Sequence, residues 1–212
     1  MRHERIAIPS CDLLIHAGDM TRRGQLLEAE AFVRWFAEQP ARHKVLVAGN
    51  HDKCCERQPE RFNALLEGTG IVYLEDSEVE LDGLRIWGSP VTPTFRNMAF
   101  NRDPGPDIRK HWDAVPAGID ILVTHGPPRS ILDRMILGKN VGCVELLERV
   151  RRVEPKLHVF GHIHEARGEA RFPGCKTRFV NAANARLLPV GQREATVVRL
   201  SESRSRQCGP IV

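Results

Sequence analysis

The side chains best suited to chemistry in this chain lie in four short clusters of histidine, aspartate and asparagine, each of which contains glycine. Imidazole and oxygen ligands without thiolate suit Mn, Fe, Zn or Ni. Glycine beside such ligands lets the backbone turn sharply and approach an ion. The clusters therefore predict a metal centre. They are Ala17-Gly18-Asp19, Gly49-Asn50-His51-Asp52, Thr124-His125-Gly126 and Gly161-His162-Ile163-His164.

The spacing inside the clusters indicates what such a centre could do. His162 and His164 are two residues apart, and in an extended segment such residues project to the same side. One segment could therefore supply ligands to one ion or to two neighbouring ions. The Asp19 carboxylate can bridge two ions, and two ions about 3.5–4 Å apart can clamp a phosphoryl group and activate a water between them.

The second cluster adds a proton donor to this set. Asn50 offers a neutral oxygen ligand. His51 can face a substrate as a proton donor, and Asp52 could hold its other ring nitrogen and favour the imidazolium. The pattern indicates an acid for a leaving group beside the metal.

Each cluster follows an apolar segment with the length of a buried strand. Because ligands of α/β sheets bind outside the carboxyl ends of strands, we expect the four clusters to converge on one site. His16 lies inside the first segment and is interpreted as a core histidine, and His3, His43, His111 and His158 as structural or exposed residues. The four segments are Asp12–His16, Lys44–Ala48, Ile119–Thr124 and Leu157–Phe160.

Helical periodicity and further apolar segments complete an α/β pattern. Asp82-Gly83 predicts a hairpin between two of the strands. The aperiodic segment Ser89–Pro106 is long for a loop inside a compact domain and predicts a functional loop. We expect one domain over residues 1–200 and a loose tail over residues 201–212. Predicted helices are Gly24–Gln39, Pro59–Glu67 and Val141–Val153, and further predicted strands are Val72–Leu74, Ser77–Leu81, Leu84–Trp87, Lys176–Asn181 and Ala195–Leu200.

Composition excludes several classes of protein. The 212 residues are 42% hydrophobic and 27% charged, which is typical of a globular domain and not of a disordered chain. No apolar run approaches the roughly 18 residues that span a bilayer, so no membrane partner is expected. The net charge of +4 is scattered, which argues against nucleic acid but permits a phosphate ester. The six cysteines form no C-x-x-C motif and no secretory leader is recognised, so we expect reduced thiols in a cytoplasmic protein.

The order of the four clusters resembles the signature of the calcineurin-like metallophosphoesterase superfamily, over Asp12 to about Asn184. Several segments resemble a narrower group, the class III cyclic nucleotide phosphodiesterase-like proteins related to the brain-enriched metallophosphoesterase-domain proteins. These segments are Leu14 to Asp19, Trp87 to Pro90, Ala99 to Arg102, Asp120 to Pro128, Val141 to Cys143 and His158 to Glu165.

The resemblance implies a four-layer α/β/β/α sandwich and a role for each cluster residue. Asp19 would bridge two divalent metal ions, and His164 would bind the second of them. His51 would protonate the leaving oxygen, oriented by Asp52. The loop around Asn101 and Arg102 would lie near the substrate. Asp19, Asn50, His125 and His162 would together coordinate the first metal ion.

One family motif has no counterpart in this chain. Family members carry Asp-x-His at the end of a first strand, which supplies two ligands to the ion that His164 also binds, and no such motif precedes Asp19. Two explanations compete. The start at Met1 is misassigned or the chain truncated, which we favour; or the short chain is authentic, its first strand is absent, and one ion keeps only Asp19 and His164. His3 is a weak substitute ligand.

These observations lead to three hypotheses of function. The main one is a metal-dependent phosphodiesterase that hydrolyses cyclic nucleotides or other small phosphodiesters by attack of a metal-bound hydroxide. The alternative is a metal- and nucleotide-binding protein with little turnover, in which one metal site is incomplete. A third keeps the enzyme and takes a phosphoprotein or nucleic acid as substrate. The sequence specifies neither the metal nor an oligomeric state.

Overall fold

Two β-sheets form the centre of the structure, which is a computed structural model describing residues 3–186, 191–192 and 194–200. The tail predicted over residues 201–212 lies outside the described residues. The strands are β1 (Cys11–Ala17), β2 (Ala41–Val47), β3 (Ile71–Tyr73), β4 (Ser77–Leu81), β5 (Leu84–Ser89), β6 (Thr92–Pro93), β7 (Asn101–Arg102), β8 (Ile121–Thr124), β9 (Leu157–Phe160), β10 (Gly168–Arg171), β11 (Arg178–Asn181), β12 (Ala185–Arg186) and β13 (Gly191–Gln192). The helices are α1 (Leu26–Ala37), α2 (Lys53–Arg57), α3 (Pro59–Leu66), α4 (Pro106–Asp113) and α5 (Val144–Val153), with short 3-10 helices at His3–Arg5 and His164–Ala166.

The first sheet contains three parallel strands in the order β1-β2-β3. Helix α1 begins at a capping box formed by Gln25 and Glu28 and ends before Pro40, which cannot continue a helix. Its buried face carries Phe32, Val33 and Phe36 and packs on this sheet. Among the described residues, β1 is an edge strand with β2 as its neighbour.

The second sheet contains six strands in the order β10-β11-β9-β8-β5-β4. The four inner strands are parallel, and the outer strands β10 and β4 pair antiparallel to them. The predicted hairpin joins β4 to β5 through Asp82 and Gly83, whose φ angles of 50° and 78° suit a two-residue turn.

Alternating side chains show that the two sheets stack face to face, with one layer of helices on the outer side of each sheet. In β2, Val45 and Val47 enter the apolar cluster between the sheets, whereas Leu46 faces the helices α1, α2 and α3. In β8, Ile121 enters the same central cluster, whereas Leu122 faces the cluster that includes residues of α4 and α5. Because successive strand residues point to opposite faces, each sheet separates two cores. The predicted four-layer α/β/β/α architecture is confirmed.

One predicted strand is wrong, and several elements were missed. Ala195–Leu200 contains only a single bridge residue at Val198. Val198 is buried between the sheets, but the Arg199 carbonyl accepts from the Arg178 side chain rather than joining a ladder. Helix α2 has only five residues, too few for a clear period, and α4 begins at Pro106, where the predicted loop ends. Strand β10 lies half-exposed at an edge. No described helix is long and apolar enough to cross a membrane.

Candidate metal centre

Four side chains from the ends of four strands meet at one point. Asp19 follows β1, Asn50 follows β2, His125 follows β8 and His162 follows β9. One ligand atom from each of Asp19, His125 and His162 lies within 4.8 Å of the other two. The first sheet therefore contributes an aspartate and an asparagine, and the second contributes two histidines.

His125 lies at the middle of this group. Its Nδ1 is 2.8 Å from the Ala17 carbonyl oxygen, so Nδ1–H donates there and Nε2 keeps its lone pair. Nε2 lies 3.0 Å from Asn50 Oδ1, 3.4 Å from Asp19 Oδ1 and 3.2 Å from His162 Nδ1. Lone-pair atoms gathered this closely favour a cation between them. Nitrogen and oxygen donors without sulfur suit a first-row divalent metal, so the residues present fit the predicted ion.

The turns that carry two of the ligands have left-handed backbone conformations. Asp19 has a φ of 64° and His162 a φ of 67°, values uncommon for residues other than glycine. Such conformations persist where the surrounding structure enforces them, and they concentrate at functional sites. The unusual backbone at two ligands supports assigning this cluster as the functional site.

The local electrostatics keep the ligands in metal-binding protonation states. Burial and the nearby His125 lower the pKa of His162 to about 3, so its ring is neutral near pH 7. Burial alone would raise the pKa of Asp19, but His125 and His51 hold it below its usual value, so Asp19 is ionised. A neutral imidazole and an ionised carboxylate are the forms that coordinate metal.

His164 lies close to this cluster without joining its tight group. Burial lowers the pKa of His164, and the Asp19 carboxylate is near enough to oppose that shift. The extended segment predicted for His162 to His164 is wrong, because His162 is left-handed and His164 begins a 3-10 helix. A role for His164 at a second ion stays a prediction.

The role predicted for Asp52 is contradicted by its hydrogen bonds. Its buried carboxylate accepts from the backbone N–H groups of Asp19, Met20, Thr21 and Gly49 at 2.7–3.3 Å and from the Thr21 hydroxyl at 2.7 Å. In the described part of the chain, no hydrogen bond joins Asp52 to the His51 ring. Burial and the Asp19 charge raise the pKa of Asp52 to about 6, against the effect of these donors. Asp52 therefore fastens the turns after β1 and β2 to each other.

His51 is exposed at the edge of the cluster. Its backbone N–H donates to Asp19 Oδ1 at 3.0 Å, and its Nδ1 lies 3.1 Å from the Arg22 carbonyl oxygen. The orientation predicted to come from Asp52 thus comes from the backbone of Arg22. With Nδ1–H donating to that carbonyl, Nε2 is the ring atom available to an incoming ester.

Asn101 and Arg102 lie on the loop predicted to be functional. Ala99 of this loop donates its N–H to the Asn50 carbonyl at 3.0 Å, so the loop packs on the second cluster. The Arg102 guanidinium lies 3.2 Å from His111 Nε2 and 3.8 Å from Glu56 Oε1. The Asn101 amide bonds to the backbone of its own loop. Substrate binding by either residue stays a prediction.

Asn181 was missed as a site residue. At the end of β11, its fully buried amide Nδ2 donates to the Ile163 carbonyl at 2.9 Å and to the Leu132 carbonyl at 3.2 Å. Ile163 lies between His162 and His164, so Asn181 holds the backbone of that segment. The available signal was the one used for the four clusters, a polar residue at the end of an apolar strand.

Two further histidines have structural surroundings. His3 packs on α1, with ring centroids 5.3 Å from Phe32 and 5.0 Å from Trp35. His158 is buried in β9, where its Nε2 is 2.8 Å from the Thr124 hydroxyl, which in turn donates to the Gly126 carbonyl. His158 therefore supports the turn that follows His125.

Comparisons with known proteins found a family model, relatives and a solved structure similar to this chain. A model of the family described as calcineurin-like phosphoesterase matches residues 2–166. Human and mouse proteins named metallophosphoesterase domain-containing protein 1 are each 40% identical over 205 residues, which cover 86% of this chain and 62% of the relative. The chain thus spans less than two thirds of their length. A crystal structure 16% identical in sequence superposes with a TM-score of 0.57 over 74% of this chain and 63% of that one, which supports the fold alone.

Proposed function

Because this chain belongs to the calcineurin-like phosphoesterase family and is similar to metallophosphoesterase domain-containing proteins, we propose that it is a metal-dependent phosphoesterase. The observation that carries the proposal is the convergence of Asp19, Asn50, His125 and His162 at the facing ends of two sheets. The resemblance to the superfamily and its subgroup, stated from the motifs, is confirmed.

The residues that would hold a divalent metal are these four, with His164 beside them. When bound, such an ion supplies Lewis-acid stabilisation of phosphoryl oxygens and activation of water. The family implies divalent ions, and Mn, Fe, Zn and Ni all suit this donor set. We propose one ion at the described cluster. The second ion implied by the family would lie toward His164 and is expected in a protein that also carries the Asp-x-His motif, since Asp19 and His164 alone are too few ligands for it.

The protein's own groups perform the remaining steps. His51 is exposed beside Asp19, and its Nε2 can donate a proton to the leaving oxygen of an ester. The Arg22 carbonyl fixes the ring, because it accepts from Nδ1–H in both the neutral and the protonated form. Asp52 keeps the turns of Asp19 and Gly49 in register.

We propose that the substrates are small phosphodiesters, with cyclic nucleotides among them. The subgroup resemblance and the mildly positive charge of the chain support an anionic ester of this kind. Human and mouse relatives carry a name that specifies a metallophosphoesterase domain but no substrate.

Hydrolysis of bis-p-nitrophenyl phosphate tests the proposal. The chain is stripped with EDTA and reloaded with Mn, Fe, Zn or Ni, and release of p-nitrophenolate is followed. We expect activity to return only with metal, and His125→Ala to lose at least about 100-fold in kcat/KM. The matched control is His43→Ala, at the opposite end of β2, which should keep full activity. A chain that binds metal but shows no hydrolysis with any of these ions contradicts the proposal.

A further inference from the structure

A cavity of about 600 Å³ lies against the segment that follows His164. One wall is formed by Glu165 and Ala166, which directly follow His164. The other wall is formed by a loop at residues 130–142, which follows His125 closely in sequence. This loop contributes Leu132, Met135 and Ile136 to the lining. Both walls are therefore continuous in sequence with proposed metal ligands.

Asn181 fixes this cavity to the metal centre. Its amide nitrogen donates to the carbonyl of Leu132, which lines the cavity, and to the carbonyl of Ile163, which lies between His162 and His164. One buried side chain thus holds the cavity wall and the histidine segment together.

Hydrogen bonds order the loop that forms the outer wall. The buried Asp133 carboxylate accepts from the N–H groups of Ser130 at 3.0 Å and Gly142 at 2.9 Å, which closes the base of the loop. Near the tip, Met135 donates its N–H to the Lys139 carbonyl at 2.9 Å. The loop is therefore a hydrogen-bonded hairpin with an ordered tip.

The tip presents large apolar side chains to solvent. Ile136 is 70% exposed and Leu137 is 93% exposed, and Met135 beside them is 39% exposed. These three consecutive side chains are exposed rather than packed in a hydrophobic core, and contiguous exposed apolar surface is typical of binding sites. Met135 and Ile136 line the cavity, whereas Leu137 does not.

We propose that this cavity is the subsite for the non-phosphoryl group of the substrate, and that this group carries an apolar or aromatic ring. The inference rests on the proposed phosphoesterase function and names the class of ester that the site takes. Its volume lies within the range of small-molecule sites, which are lined by apolar side chains with a few polar groups. Leu132, Met135 and Ile136 supply the apolar contacts, and the thioether of Met135 adapts to flat rings.

The charges at the cavity favour a neutral ring over a second anionic group. Arg134, Glu165 and the buried Asp133 all line it, so the lining carries a net negative charge that opposes a second anionic group. The Arg134 guanidinium can stack on an aromatic face, and Glu165 can accept from ring N–H or hydroxyl groups. An uncharged ring attached to the phosphoryl group can stack on Arg134 and donate to Glu165 without adding a second negative charge.

Calorimetric binding of two phosphonates to the Mn-loaded chain tests the subsite without turnover. Phenylphosphonate and methylphosphonate share the metal-binding head and differ only in the attached group. We expect phenylphosphonate to bind about tenfold more tightly, because the ring buries apolar surface in the cavity. Ile136→Ser should remove most of this preference. Leu137→Ser is the matched control, since it changes the neighbouring exposed side chain outside the cavity and should leave the preference unchanged.

Two outcomes overturn the subsite: equal affinity for the two phosphonates in the unmodified chain, or equal effects of the two serine variants. Both sites are exposed, so an unchanged thermal midpoint confirms that each variant is folded. Hydrolysis of bis-p-nitrophenyl phosphate separates this inference from the proposed function on which it rests. Turnover of this ester together with equal affinity for the two phosphonates retains the phosphoesterase and rejects the subsite. A phenyl preference in binding without any turnover rejects the phosphoesterase and retains the subsite.

Discussion

At the residue scale, two adjacent side chains of one motif occupy opposite environments. His51 is exposed, with its ring fixed by the Arg22 carbonyl, whereas Asp52 is fully buried among backbone N–H groups. A carboxylate that accepts several backbone N–H bonds rigidifies the segments that donate them. Asp52 is therefore a residue of the scaffold, and His51 is the residue that can meet a substrate.

Replacing Asp52 with alanine should destabilise the fold strongly. The change leaves four backbone N–H groups and one hydroxyl without their acceptor in a buried turn. We expect a loss of about 3 kcal/mol or more in the free energy of unfolding at pH 8, measured by urea denaturation. Asp113→Ala, on the exposed end of α4, should change it by less than about 0.5 kcal/mol. Equal effects of the two changes would show that the carboxylate does not hold the turns.

Replacing His51 with alanine should have an effect that depends on the leaving group. A general acid contributes about 10²–10⁴-fold when the leaving oxygen is basic, and much less when it is p-nitrophenolate. We expect the loss in kcat to be at least about tenfold larger for an alkyl phosphodiester than for bis-p-nitrophenyl phosphate. Uniform loss for both esters would assign His51 to binding or to structure instead of proton transfer.

His158 should make the fold sensitive to acid. Burial lowers its pKa from 6.5 to about 3, so below pH 6.5 the unfolded chain takes up a proton that the folded chain does not. Stability is therefore lost as pH falls from about 6.5 toward 3, by up to about 1.4 kcal/mol per pH unit for this group. Urea denaturation of His158→Gln should show a shallower loss over that window than the unmodified chain. Identical pH profiles for the two chains would contradict the assignment.

At the scale of elements, the turns after the strands decide whether the ligands meet. At Gly49, an added Cβ would lie 2.5 Å from Asp19 Oδ1 and 2.6 Å from His125 Cε1. At Gly161 the nearest neighbour of an added Cβ is 3.7 Å away, which is ordinary contact. Both glycines precede a ligand at a strand end, yet of these two turns only the one after β2 requires the absence of a side chain.

These two glycines should therefore respond differently to alanine. Gly49→Ala must displace Asp19 or His125, so we expect at least about a tenfold loss in metal affinity by calorimetry. Gly161→Ala introduces no close contact and should keep the affinity within about twofold. The prediction fails if Gly161→Ala is as damaging as Gly49→Ala.

At the scale of the whole molecule, the metal centre joins the two sheets. Asp19 and Asn50 extend from the first sheet, and His125 and His162 from the second. An ion held by all four binds the folded chain and not the unfolded one, so its binding energy adds to the stability of the whole sandwich.

Metal should therefore raise the melting temperature of the chain. At a free Mn concentration of about 100 times Kd, mass action adds about 2.7 kcal/mol. For a domain of this size we expect an increase of roughly 5–10 °C, measured by differential scanning calorimetry and reversed by EDTA. The increase should vanish in His125→Ala and persist in His43→Ala. An equal increase in both variants would place the stabilising ion elsewhere.

Much of the fold and most of the site were predictable because they depend on local patterns. Apolar runs marked β1, β2, β8 and β9 to within a few residues, and the polar clusters at their ends predicted the convergence that the structure shows. Helix α2 gave no usable period, since its five residues make little more than one turn. Helix α4 begins at Pro106, where the segment interpreted as a loop ends, and was not separated from it. The apparent strand at Ala195–Leu200 had the right alternation but no ladder with another segment among the described residues, and a single segment cannot show whether it has a partner.

The sequence by itself determined which residue types gather at the strand ends, because burial of apolar runs and the turns that follow them are set by neighbouring residues. Only the tertiary structure decided what each side chain faces. The Asp52 carboxylate meets N–H groups some thirty residues away, and His125 Nδ1 donates to the Ala17 carbonyl 108 residues earlier in the chain. Such partners are selected by the packing of one sheet on another. Distances through space therefore assigned the roles that the spacing along the chain left open.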